Sequence, residues 1–97
     1  MIKHIVLFKL KASEDKGNKM QAIKAELEKL PALIPELKEI HVGINCNTAE
    51  KWDLSLEVQV ENMHDLEVYA NHPAHQHIVK NLIAPIKEDR ACVDYQI

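Results

Sequence analysis

The stretch Ile2 to Leu10 alternates with a period of two, yet it is apolar on both sides in its middle. Ile2, His4, Val6, Phe8 and Leu10 share one face, and Lys3, Ile5, Leu7 and Lys9 share the other. Successive residues of a strand point to opposite faces, so a segment of this kind has to be covered twice. This predicts a central strand in a sheet, with helices on one side and a further layer on the other. A chain of 97 residues closes one core and removes about two thirds of its unfolded surface from water. The expectation is a single domain, residues 1–97.

After "KASEDKGN", a turn in which Ser13 or Asn18 is the expected helix cap, Met20, Ile23, Leu27 and Leu30 recur at helical steps with lysine and glutamate between them. Pro31 and Pro35 are expected to end this amphipathic helix. From Glu39 the period returns to two. Ile40, Val42, Ile44 and Cys46 form one face of a second strand, and Trp52, Leu54, Leu56, Val58 and Val60 form one face of a third, with "NTAEK" as the hairpin turn and Asp53, Ser55, Glu57 and Gln59 on the polar face. Asn62 caps a short helix that must stop near Asn71, because a residue before proline is pushed out of helical geometry. Pro73 opens another helix at its first position, where a missing N–H costs nothing, and that helix runs to about Ala84. "ACVDYQI" is the last strand. The order predicts an α+β fold, a ferredoxin-like βαββαβ with an antiparallel four-stranded sheet and helices on one face. A second copy of the sheet is expected to dock on the other face, where Ile5 and Leu7 lie in a lysine frame.

Charge narrows the partners. Eleven of the twelve basic residues are scattered lysines, Arg90 is the single arginine and the net charge is -3, so no basic surface for nucleic acid is expected. Cys46 and Cys92 lack zinc or redox spacing and are expected as reduced, buried thiols. The first apolar run is too short for a signal-peptide core or a membrane span, so the expected location is cytoplasmic, with no membrane partner.

Candidate chemistry concentrates in "YANHPAHQH", residues 69–77. His75 shares a helical stripe with Val79, Leu82 and Ile86 and is directed inward, His77 falls on the polar side with Lys80 and Asn81, and His72 stands at the cap position before Pro73. Tyr69 lies one turn beyond Leu66, where the break at residues 71–73 can fold its hydroxyl toward His75. Phenol and imidazole make a workable pair, the neutral imidazole accepting a proton near pH 7 and the phenol donating to a developing oxyanion. The alternative is structural: a tyrosine that buries its ring, and a His75 that marks a helix joint. His4 is the only polar side chain on the helix-facing side of the first strand, as a structural histidine or as a third pocket residue. The faces of the three clustered histidines diverge and no carboxylate follows at ligand spacing, so no metal and no cofactor are expected there.

"MIKHIVLFKL", "YANHPAH" and "VDYQI" together resemble the stress-responsive α/β-barrel (Dabb) domain along the whole chain. The resemblance implies a ferredoxin-like monomer that pairs sheet to sheet into a dimeric α/β barrel. One branch, similar to olivetolic acid cyclase, is a cofactor-free polyketide cyclase that closes a linear poly-β-keto thioester by intramolecular aldol condensation. Its motif tyrosine and histidine match Tyr69 and His75, and its first-strand pocket histidine matches His4. A further pocket histidine of that branch falls near Leu54, and its first-helix aromatics fall near Lys24 and Leu27.

These readings converge on a homodimer with an apolar pocket for a small hydrophobic or carbonyl-bearing ligand. Val6, Phe8, Ile23, Leu27, Leu56, Val58 and Val79 are its expected walls, and His75, Tyr69 and His4 its polar groups. The alternatives are a non-catalytic, stress-associated ligand-binding or structural dimer, and a barrel monooxygenase-like or haem-binding protein with His75 as axial ligand.

Overall fold

The computed structural model describes all 97 residues and contains four strands: β1 (Ile2–Leu10), β2 (Glu39–Ile44), β3 (Leu54–Val60) and β4 (Lys87–Gln96). Three α-helices lie between them: α1 (Lys16–Leu27), α2 (Met63–Asn71) and α3 (Pro73–Ile78). A 3₁₀ turn (Leu30–Ala32) follows α1, and a π turn (Val79–Ile83) prolongs α3. The sheet is antiparallel throughout in the order β2-β3-β1-β4, which puts the doubly apolar first strand in its interior. Val6, Phe8 and Leu10 meet Ile23, Leu27 and Leu30 in an 18-residue buried core under the helices. No helix is long and apolar enough to cross a membrane.

Several boundaries differ from the sequence reading for local reasons. The first helix starts at Lys16 after Asp15 with no side-chain cap, so neither Ser13 nor Asn18 serves in that role; Ser13 Oγ instead donates to Asp15. It ends at Leu27, ahead of Pro31, and Leu30 reaches the core from the 3₁₀ turn. Asn62 caps α2 as expected, its side chain accepting from the Asp65 N–H. The last strand begins at Lys87, four residues before "ACVDYQI", because β1 extends to Leu10 and offers partners that far.

The cysteines correct the expectation of burial: both are free and exposed. Cys46 lies past the end of β2, in a connection held by Asn45, whose side chain donates to the Asn47 and Trp52 carbonyls. Cys92 is on β4, an edge strand that no helix covers.

Asp53 departs from its expected place on the polar face. Its carboxylate accepts the Leu10 N–H at 2.7 Å and pairs with Lys16 at 2.9 Å, tying the end of β1 to the start of α1. Burial raises its pKa, but these two donors outweigh burial and hold it below the usual carboxylate range. Lys24 and Glu28 act similarly at the other edge. Lys24 Nζ donates to the Val42 carbonyl and Glu28 accepts the Val42 N–H, so α1 covers the backbone groups that β2 would otherwise expose.

Candidate active site

The break between α2 and α3 follows from one residue. In a continuous helix the Ala70 carbonyl would accept from the Ala74 N–H. Pro73 forces His72 into extended geometry, and His72 Nδ1 captures the Ala74 N–H at 3.1 Å. The released Ala70 carbonyl accepts instead from His75 Nδ1 at 2.9 Å and from Gln76 Nε2 at 2.6 Å. A carbonyl oxygen only accepts, so the His75 proton sits on Nδ1 and the lone pair of the neutral ring is on Nε2. Burial is the main cause holding the His75 pKa below its ordinary value. The Ala70 bond opposes this, and His4 and His72 reinforce it. The ring is therefore a neutral base near pH 7.

Tyr69 is packed against that ring, with centroids 4.3 Å apart. It is 1% exposed, and its hydroxyl is the only buried side-chain nitrogen or oxygen in the molecule without a hydrogen-bond partner. The Tyr69 side chain does lie at His75, as the break allows, but the rings pack at a tilt of 41° and the hydroxyl is left without a partner. Burial pushes the phenol pKa well above its ordinary value, so the group keeps its proton and acts as a donor.

The His4 ring lies 6.4 Å from Tyr69 in an edge arrangement, and its Nδ1 donates to Asp94 Oδ1 at 2.5 Å. Asp94 lies directly across the β1–β4 ladder from His4, so both project from one face. The carboxylate fixes the His4 tautomer, leaving Nε2 as the second ring position available to a ligand.

These three side chains line one cavity of about 390 Å³ between sheet and helices, within the range that holds a small organic ligand. Of the expected walls, Val6, Phe8, Leu27, Leu56 and Val79 line it. Ile23 and Val58 do not: they are 1% and 0% exposed in the closed core. Ile83 and Ala84 take part instead, because the π turn inserts an extra residue and rotates the stripe read as His75, Val79, Leu82 and Ile86. Lys87 and Arg90 stand on β4 at the cavity, a cationic margin that the sequence reading left unassigned. His77 is exposed and bonded to Asn81, and the three clustered histidines do not converge.

Asp94 was also missed, although Cys92 and Asp94 at i and i+2 on one strand face were a legible sign. Its partner His4 is 90 residues away. Lys24, which stands where the cyclase branch has an aromatic, is engaged with β2 and does not line the cavity, and Leu54 is buried away from it.

The sequence profile of the stress-responsive A/B barrel domain matches residues 2–97. The chain belongs to the Dabb family. Among curated proteins this Dabb chain is 31% identical over 99 residues to a stress-response A/B barrel domain-containing protein of Arabidopsis thaliana, covering 98% of itself and 36% of that relative. It therefore spans about a third of the length of that protein. A solved structure from Bacteroides fragilis, described as a dimeric protein of unknown function with a ferredoxin-like fold, is 42% identical with a TM-score of 0.93, over 99% of this chain and 95% of the other. The hydroxynitrile lyase of Passiflora edulis shares the fold at 21% identity and a TM-score of 0.83, over 99% and 92% of the two chains. The chain has a ferredoxin-like fold with a four-stranded antiparallel sheet, the fold of these solved structures.

Proposed function

We propose that this Dabb domain is a cofactor-free acid–base catalyst acting on a small carbonyl compound, working as a homodimer. The observation that carries the reading is the Tyr69 hydroxyl, buried without a partner, on a side chain that lines one cavity together with His75 and His4. An unpaired buried donor costs about 1–3 kcal/mol, a cost that a ligand carbonyl oxygen would remove.

In this reading His75 Nε2 takes a proton from carbon next to the carbonyl, and the pair of electrons left on carbon moves into the carbonyl as an enolate. The Tyr69 hydroxyl donates to the developing oxyanion without giving up its proton. His4, held by Asp94, orients the substrate. The enolate carbon then attacks a second carbonyl carbon, as in an aldol closure, and the proton on His75 returns to the new alkoxide. The apolar walls suit a hydrophobic body, and a poly-β-keto thioester is the substrate class the sequence resemblance points to; Lys87 and Arg90 suit a polar or anionic end.

The test is Tyr69→Phe, assayed against β-keto thioesters and simple aldol donors. Removing an unpaired hydroxyl is expected to raise Tm by roughly 4–8 °C, the equivalent of about 1 kcal/mol in a domain of this size, while lowering kcat at least about 100-fold. His75→Ala is expected to abolish turnover of the same substrate with little change in Tm. A Tyr69→Phe protein that is stabilised and keeps full turnover would reject the mechanism in favour of a ligand-binding dimer without chemistry.

A further inference from the structure

Beyond the acid–base reading, we infer that His4, Cys92 and Asp94 form a binding site for a divalent zinc-type cation at the β1–β4 edge of the cavity. They are the one group of three metal-ligating side chains that the fold brings together, all donor atoms lying within 4.8 Å of one another. Cys92 Sγ is 3.5 Å from His4 Nδ1 and 3.7 Å from Asp94 Oδ1. A tetrahedral ion with ligands at about 2.0–2.3 Å holds neighbouring donors roughly 3.3–3.6 Å apart, so the 3.5 Å separation fits and the 3.7 Å one has to close only slightly. The third separation, His4 to Asp94 at 2.5 Å, is a hydrogen bond and has to open by less than about 1 Å.

The placement comes from strand geometry. Cys92 and Asp94 are two apart on β4 and share a face, and His4 faces Asp94 across the ladder, so three ligands arise from two adjacent backbones without any loop. The site is open to water, and the Arg90 guanidinium beside the Cys92 sulfur is the one charge that opposes a cation there. Cys92 and Asp94 are exposed, His4 is nearly covered, and thiolate plus carboxylate neutralise a divalent charge. Thiolate with imidazole selects zinc over magnesium or calcium, which prefer all-oxygen sets. Three protein ligands leave one position of a tetrahedral ion for water.

Binding is acid–base chemistry without oxidation. The ion forms bonds to sulfur, nitrogen and oxygen, the Cys92 thiol proton passes to buffer, and His4 exchanges its Nδ1 proton for one on Nε2. At least one proton is released per ion.

The experiment is cobalt(II) titration of the untagged protein carrying Cys46→Ser, which removes the other exposed thiol, followed by zinc competition. The expected result is one equivalent bound, with a near-ultraviolet thiolate-to-cobalt band, visible bands of tetrahedral intensity, and complete displacement by zinc. Cys92→Ser is expected to abolish the charge-transfer band, and Asp94→Asn to weaken zinc binding at least about 10-fold. Both changes are on an exposed edge strand, and circular dichroism verifies that the variants are folded. A weak octahedral spectrum, or a charge-transfer band that survives Cys92→Ser, overturns the site. The readout is independent of turnover, so its failure leaves the acid–base proposal standing.

Discussion

His75 is kept neutral by its surroundings, and this has a consequence for stability that a purely solvated histidine would not have. Its folded pKa lies below the ordinary value of about 6.5, so as pH falls the unfolded chain takes up a proton before the folded one does. The contribution of His75 is complete above about pH 6.5 and is lost progressively as pH drops through the lowered folded value. We expect denaturant midpoints measured from pH 8 to pH 5 to decline on the acid side, and His75→Gln to flatten that part of the curve. An unchanged slope in the variant would show that the decline belongs to other groups. The identity of His75 as an inward group was legible from helical spacing. Its tautomer was not, since that depends on the Ala70 carbonyl made available by the Pro73 break.

The helix that follows Pro73 shows how one local irregularity changes a reading. A continuous 3.6-residue period points Val79, Leu82 and Ile86 inward, whereas the π turn over Val79–Ile83 buries Ile78 and Ile83 and brings Ala84 to the cavity. Periodicity has no term for an inserted residue. The β1–α1 corner carries a similar long-range dependence, because Asp53 is far in sequence from both Leu10 and Lys16. Asp53→Asn keeps the shape and can keep the Leu10 bond, but it loses the ion pair with Lys16. The expected cost is about 1–2 kcal/mol, several degrees in Tm, measured by thermal unfolding at pH 7. The same substitution should cost less as pH falls through the lowered folded pKa of Asp53, where the native carboxylate itself takes up a proton.

The sheet has one face under the helices and one without any cover in the monomer. Ile5 and Leu7 on β1 are half-buried, and across the ladder from Ile5 stands Val93, 54% exposed, with Tyr95 at 46% beside it. An apolar patch of this kind on a sheet face marks an interaction surface. The Bacteroides fragilis relative is described as dimeric, and the proposed homodimer would place this face against its copy. Sedimentation velocity at micromolar concentration is expected to give a dimer for the wild type and a folded monomer for Val93→Lys. A monomeric wild type would sink the proposal. Ile5 and Leu7 were legible as this patch in the first ten residues. Val93 and Tyr95 join it only through the register of β4.

Local periodicity was enough to specify the type and order of every strand and the approximate place of every helix, because side-chain direction repeats every two residues in a strand and every 3.6 in a helix. It also singled out Tyr69, His75 and His4. What joins those residues to Asp94 and Cys92, strands Ile23 and Val58 in the closed core, and leaves the Tyr69 hydroxyl unpaired was decided by tertiary structure alone. Those outcomes depend on which backbones lie side by side across some 90 residues and on how a helix bends over them, and no repeat within a single segment encodes either distance.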